Sequence, residues 1–232
     1  MNDPKVIVAL DFDDRAALQS LLSKLNPHEC RVKVGKELFT LFGPDIVKSI
    51  HDMGFQVFLD LKFHDIPATV KKACKAAASL GVWMLNVHAL GGREMLLAAR
   101  EGASEGNPEV KLIAVTILTS SNDDDIHRVG LSGEVKENVL RLASLVQEVS
   151  LDGVVCSAQE ASMLRKATDE QFLLVTPGIR PSGFQLDDQK RILSPSEAIS
   201  CGSSYLVVGR PITQSNDPAK VLLDINQEIE GM

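Results

Sequence analysis

The segment Asp60-Leu61-Lys62-Phe63-His64-Asp65 places two carboxylates and an ammonium directly after the apolar run Gln56-Val57-Phe58-Leu59. If that run is a strand, its side chains alternate between faces. Asp60 and Lys62 then share a face with Phe58, while Val57, Leu59 and Leu61 take the other. Taking charge out of water is costly unless each group has a partner or a task, so a purely structural sheet rarely ends in two charges on one face. The chemistry such a set offers is that of fixed, opposed charges, and the stretch is the candidate active site.

Elements that could position these groups recur along the chain. Eight short runs rich in Val, Leu and Ile read as strands: Val6–Leu10, Arg31–Val34, Gln56–Leu61, Met84–Val87, Lys111–Leu118, Gly153–Cys156, Phe172–Thr176 and Tyr205–Val208. Their near-continuous hydrophobicity fits parallel strands covered by helices. Amphipathic segments lie between them, at Ala16–Leu25, Asp45–Met53, Ala68–Leu80, Glu94–Ala103, Val135–Val149, Ala158–Ala167, Pro195–Cys201 and Ala219–Ile229. Asp65, Ser194 and Asp217 stand where N-caps with a proline in the first turn are expected. This alternation predicts a single (β/α)8 TIM barrel over residues 1–232, with an open doubly wound sheet as the alternative.

In such a barrel the active site lies where strands end. Those ends are polar: Asp11 after the first strand, Lys33 near the end of the second, Asp60 and Lys62 after the third and His88 after the fourth. Thr119-Ser120 follows the fifth, Ser157 the sixth, Thr176-Pro177-Gly178 the seventh and Gly209-Arg210 the eighth. The loops after strands seven and eight commonly take phosphate, and Gly178-Ile179-Arg180 with Gly209-Arg210 offers amide and guanidinium donors there.

Composition narrows the partners. A net charge of -7 and a pI near 5.3 leave no basic face for nucleic acid, and 4% aromatic content gives little for bases to stack on. The first residues lack a signal peptide's apolar region, and no run is long enough to span a membrane. Cys30, Cys74, Cys156 and Cys201 form no CxxC pair, which fits reduced thiols in a cytoplasmic protein.

Each polar group also has a plain structural role open to it. Asp65 could simply cap a helix, and Asp11 could do the same after strand one. Lys33 could be an exposed lysine at the barrel edge, although its parity, opposite to Val32 and Val34, is compatible with an inward position. His88 fits a hydrogen-bonded structural histidine. The Asp123-Asp124-Asp125 run, within the long loop Thr119–Glu134, reads as a solvated turn or helix start.

The sequence resembles orotidine 5'-monophosphate decarboxylases of the bacterial type over nearly its whole length. The resemblance runs through Ala9-Leu10-Asp11, Lys33-Val34-Gly35, Asp60-Leu61-Lys62-Phe63-His64-Asp65-Ile66-Pro67-Ala68-Thr69, His88-Ala89 and Leu118-Thr119-Ser120. It continues through Thr176-Pro177-Gly178-Ile179-Arg180, Asp188-Gln189-Lys190-Arg191 and Val208-Gly209-Arg210-Pro211. The D-x-K-x-x-D element also occurs in sugar-phosphate lyases. Those magnesium-dependent relatives carry a carboxylate at the second strand, where this chain has Lys33.

The resemblance implies decarboxylation of orotidine 5'-monophosphate to UMP in de novo pyrimidine synthesis, with no metal and no organic cofactor. It implies Lys62 as the proton donor to C6 and Asp60 beside the substrate carboxylate, with Lys33 linking the charge network. Asp11 and Lys33 would contact the ribose, and Thr119 and Ser120 the base. Arg180, Gln189, Gly209 and Arg210 would hold the phosphate under a lid formed by Pro181–Leu193. It further implies a homodimer in which Asp65 and Thr69 reach the partner's site. Two alternatives remain: a magnesium-dependent sugar-phosphate lyase on the same barrel, and a nucleotide-binding barrel without catalysis.

Overall fold

The computed structural model describes residues 3–181 and 193–231. Eight parallel strands, β1 (Val6–Leu10), β2 (Arg31–Gly35), β3 (Val57–Phe63), β4 (Met84–His88), β5 (Lys111–Val115), β6 (Gly153–Val155), β7 (Leu173–Pro177) and β8 (Tyr205–Val208), pair in chain order. β1 also pairs with β8, so the sheet closes into a barrel and the open-sheet alternative is excluded. Strand five is shorter than expected, because the chain leaves the ladder after Val115 and Thr116–Leu118 turns over the barrel mouth.

Alternation divides each strand's side chains between two cores. Ile7, Ala9, Phe58, Met84, Ile113, Val175 and Val207 fill the barrel interior. Val8, Leu10, Val32, Val34, Val57 and Leu59 face outward and pack under the helices. The apolar strands are thus buried on both faces, which is why they read as continuous hydrophobic runs.

The expected helices form as α1 (Arg15–Leu22), α3 (Asp45–Asp52), α4 (Pro67–Ala78), α5 (Gly92–Gly106), α7 (Val135–Glu148), α8 (Ala158–Ala167), α9 (Pro195–Ser200) and α11 (Pro218–Glu230). Three more form: α2 (Lys36–Phe42) and α10 (Arg210–Thr213) in segments expected to be irregular, and α6 (Asp123–Arg128) where the acidic run offered a turn or a helix start. They are four to seven residues long, too short to establish a helical period in sequence.

The three expected caps turn out differently. Ser194 and Asp217 accept from the backbone N–H groups of Glu197 and Lys220 at 3.2 and 3.0 Å, as N-caps do. Asp65 does not cap α4. The proline at the helix start holds Ile66 in an extended conformation, so Ile66 is the cap residue, and Asp65 Oδ1 only accepts from the Ile66 N–H at 2.7 Å. Nor does Asp11 cap α1, since Asp14 takes that role by accepting from Ala17 N at 2.7 Å.

The acidic run opens α6. Asn122 and Asp125 cap each other reciprocally at 3.0 Å, and Asp123 Oδ1 accepts from Val135 N at 2.7 Å, joining α6 to α7. Carboxylates at a helix N-terminus meet the positive end of its dipole. Helix α4, which carries Thr69, is held tightly against α5, because a Cβ at Gly102 or Gly106 would collide with the Lys71 and Lys75 carbonyls. Lys71 and Lys75 bridge this pair to Glu101 and Glu105, an exposed network worth little individually.

Candidate active site

At the carboxyl end of the barrel, β3 departs from regular geometry. Leu59 pairs with Leu85 but Phe63 pairs with Val87, so four steps along β3 match two along β4 and the strand bulges. Lys62 takes up the slack with a φ of 54°, in the left-handed region that costs a residue with a side chain about 1–2 kcal/mol. Simple alternation therefore predicts the face of Lys62 correctly but misses the backbone that delivers it.

The bulge aims Lys62 into a chain of alternating charges. Lys62 Nζ lies 2.5 Å from Asp60 Oδ1, Lys33 Nζ lies 3.4 Å from Asp60 Oδ2, and Lys33 Nζ also lies 3.5 Å from Asp11 Oδ1. Asp11, Lys33, Asp60 and Lys62 thus form one row across the ends of β1, β2 and β3. Lys33 points inward with its side chain only 12% exposed, as its parity allowed. Asp11, at the outer end, is open to solvent.

Asn86 completes the arrangement from β4. Its Nδ2 donates to Asp60 Oδ1 at 2.7 Å and its Oδ1 accepts from the Lys62 backbone N–H at 2.8 Å. Burial pushes the Asp60 carboxyl up, but Lys33, Lys62 and the Asn86 amide outweigh it and hold the group below the usual carboxylate range. Asp60 is therefore a buried carboxylate kept charged by its neighbours.

His88, two residues beyond Asn86 and so on the same face of β4, behaves in the opposite way. Burial, with His64, Lys62 and Lys36 nearby, pushes its imidazole down to about 4 against a weaker pull from Asp60. Its ring stands 5.5 Å from that of His64, and its buried Nδ1 has no hydrogen-bond partner among the described residues. The expected hydrogen bond of a structural histidine is thus not made at Nδ1 by any of the described residues.

The charge row forms one wall of a cavity of about 600 Å³. Gly178 and Arg180 after β7 and Gly209 and Arg210 after β8, the strand that pairs with β1, line the same cavity, so the ammonium groups and the guanidinium groups share one space. Arg180 Nη1 donates to the Ile179 carbonyl at 3.0 Å. Thr119 with Ile117, Leu118, Val155 and Val175 makes the apolar flank between the two poles. Ser120, Asp65 and Thr69 are exposed and lie outside this lining. Gln189 and most of the expected lid lie outside the described residues.

Asn86, Ile117, Thr213 and Gln214 were not singled out from sequence, although the last three line the cavity. For Asn86 a signal existed. Met84, Asn86 and His88 alternate onto the inward face, so an amide was due beside the charges of the neighbouring strand.

The closed barrel, with fixed charges gathered at the carboxyl ends of its strands, defines a (β/α)8-barrel enzyme. Comparison with known proteins specifies which. Residues 4–225 match the model of the Orotidine 5'-phosphate decarboxylase / HUMPS family. The orotidine 5'-phosphate decarboxylase of Vibrio atlanticus is 57% identical over 227 residues, covering 97% of this chain and 98% of that protein. The Nitrosospira multiformis enzyme of the same name is 56% identical over 232 residues, covering 100% of this chain and 96% of its own. Among solved structures, orotidine 5'-phosphate decarboxylase from Lactobacillus acidophilus superposes with a TM-score of 0.88 at 43% identity, covering 98% of this chain and 99% of that one. The chain belongs to the orotidine 5'-phosphate decarboxylase family.

Proposed function

We propose that this protein decarboxylates orotidine 5'-phosphate to UMP with its own side chains alone, Lys62 supplying the proton. Family membership assigns the reaction and its place in pyrimidine biosynthesis. The observation that carries the residue assignment is the row Asp11–Lys33–Asp60–Lys62, which ends with an ammonium on the cavity wall.

The bond from C6 to the carboxylate breaks, CO2 leaves, and the electron pair stays on C6. No π-system accepts that pair, so it must be stabilised in place by a fixed positive charge and then protonated. Lys62 Nζ does both: it attracts the developing carbanion and transfers its proton to C6, and solvent reprotonates the amine. Asp60 stands beside the departing carboxylate, and the Lys33 and Asn86 bonds keep it oriented. Transition-state stabilisation by Lys62 carries the rate, because only interactions stronger in the transition state than in the ground state accelerate the step.

Asp11 and Lys33 contact the ribose hydroxyls, Thr119 and Ser120 the base, and Arg180, Gln189, Gly209 and Arg210 the phosphate. Gripping the phosphate, remote from C6, supplies binding energy for closing the site and excluding water. We assign the chain as one barrel domain over 1–232, acting in the cytoplasm as a homodimer in which Asp65 and Thr69 reach the partner's cavity. Both residues are exposed and lie outside their own cavity's lining, which supports that placement. Among the described residues no helix is long and apolar enough to cross a membrane.

The test is the change in pyrimidine absorbance with orotidine 5'-phosphate, with and without EDTA. Turnover unaffected by the chelator is expected, and turnover abolished by it would point to a magnesium-dependent site. Mixing inactive Lys62→Ala and Asp65→Ala proteins should restore part of the activity in heterodimers, and a silent mixture would refute the shared site.

A further inference from the structure

The strained turn at Lys62 needs something to hold it, because the bulge removes it from the β-ladder that would otherwise bond its backbone N–H. The partner that takes this N–H is a side chain, Asn86, fully buried and absent from the cavity lining. We propose that Asn86 is the positioning residue that sets both Lys62 and Asp60 for decarboxylation, an inference that rests on the function proposed above.

An amide is the side chain this place requires. It must accept from the Lys62 N–H with one atom and donate to Asp60 Oδ1 with the other, and Asn86 does both at 2.8 and 2.7 Å. A carboxylate could accept but not donate, and would set a second anion against Asp60. An apolar residue of the same size could do neither. The two bonds act on the two reacting side chains together: one fixes the backbone from which Lys62 projects, and the other fixes the carboxylate oxygen that Lys62 Nζ also contacts. Asp60 Oδ2 is left to Lys33. Asn86 thereby sets the direction of the ammonium without touching the ligand space, and small misplacements of a reacting group cost rate steeply.

The experiment measures kcat and KM separately for Asn86→Leu and Asn86→Asp, with circular dichroism and thermal melting to establish folding. Each folded variant should lose at least about tenfold in kcat while KM changes by less than about threefold, because Asn86 lies behind the cavity wall. A smaller loss of kcat, or a loss confined to KM, overturns the proposal. Hydrogen exchange at the Lys62 amide of the unmutated protein reads the same bond without a substitution. Strong protection is expected, and exchange at the rate of an exposed loop amide overturns the proposal even if neither variant folds. Failure of the unmutated protein to turn over orotidine 5'-phosphate would instead refute the proposed function.

Discussion

The two ends of the barrel both hold charge, and they hold it in opposite ways. At the amino ends of the strands, Arg31 is buried with its guanidinium 4.0 Å from the Trp83 ring centroid and 5.2 Å from that of Tyr205. It donates to the Pro4 carbonyl at 2.6 Å and to Gln56 Oε1 at 2.8 Å, and pairs with Asp3 at 2.8 Å. Its charge is enclosed by partners that have no other use for it, a stabilising arrangement. At the carboxyl ends, the row from Asp11 to Lys62 opens on a cavity, and its terminal ammonium stands on strained backbone. The charges of one end close the barrel, whereas those of the other are held ready for a ligand.

If that contrast is right, damage to the mouth should remove activity and leave stability, while damage to the base should do the reverse. The largest effect belongs to Lys62→Ala. Removing the charge that stabilises and protonates the carbanion should lower turnover by upwards of about 10³-fold. The variant should still fold, read by circular dichroism, because an ammonium at the cavity wall contributes little packing and Lys33 and Asn86 still hold the buried Asp60 carboxylate. Near-normal turnover in that variant would break the comparison outright.

Arg210→Ala comes next. Loss of a charge-assisted hydrogen bond to phosphate, about 1.5–3 kcal/mol, should reduce kcat/KM about 10- to 150-fold. The loss should shrink when the substrate lacks phosphate, and an equal loss with the nucleoside would move the phosphate grip elsewhere. Arg31→Ala is the converse experiment. Stability should fall by about 2 kcal/mol through the lost ring and hydrogen-bond contacts, read as a shift in the urea midpoint, with kcat unchanged. A variant as stable as the parent would show that enclosure of the charge contributes nothing.

The same contrast explains what the sequence revealed. Strands of β-branched residues such as Val6–Leu10, and the parity that turns Lys33 and Asp60 inward, are local properties and were legible. The part played by Asn86 was not, because it depends on a two-residue slip between β3 and β4 that no single strand encodes. Asp65 was misplaced as a cap because its neighbour Ile66, held extended before Pro67, took the position. Short helices such as α2 and α10 offer less than the window over which a helical period can be recognised. The residue roles came from the family resemblance, since spacing alone shows that charges converge and not which bond they break.

The smallest effect concerns pH and separates the mouth's acid behaviour from that of the rest of the molecule. His88 titrates at about 4 in the folded protein against an ordinary 6.5, burial being the chief cause and His64, Lys62 and Lys36 adding to it. Between those values the unfolded chain binds a proton that the folded chain refuses. Stability therefore rises with pH across the window, is complete above it, and is lost progressively as pH falls through it. Asp60 acts in the same direction but lower on the scale. Its carboxyl is held below the ordinary range, so its contribution is present above the unfolded carboxylate value and disappears as pH falls through its own depressed one. His88→Gln removes the first titration and leaves the second, so between about 6.5 and about 4 its urea midpoint should decline less steeply than that of the parent. The remaining slope belongs to groups such as His51, whose imidazole burial also pushes down. Parallel declines in parent and variant would mean that His88 accepts its proton in the folded state, and that the mouth tolerates one more positive charge beside Lys62 than its geometry indicates.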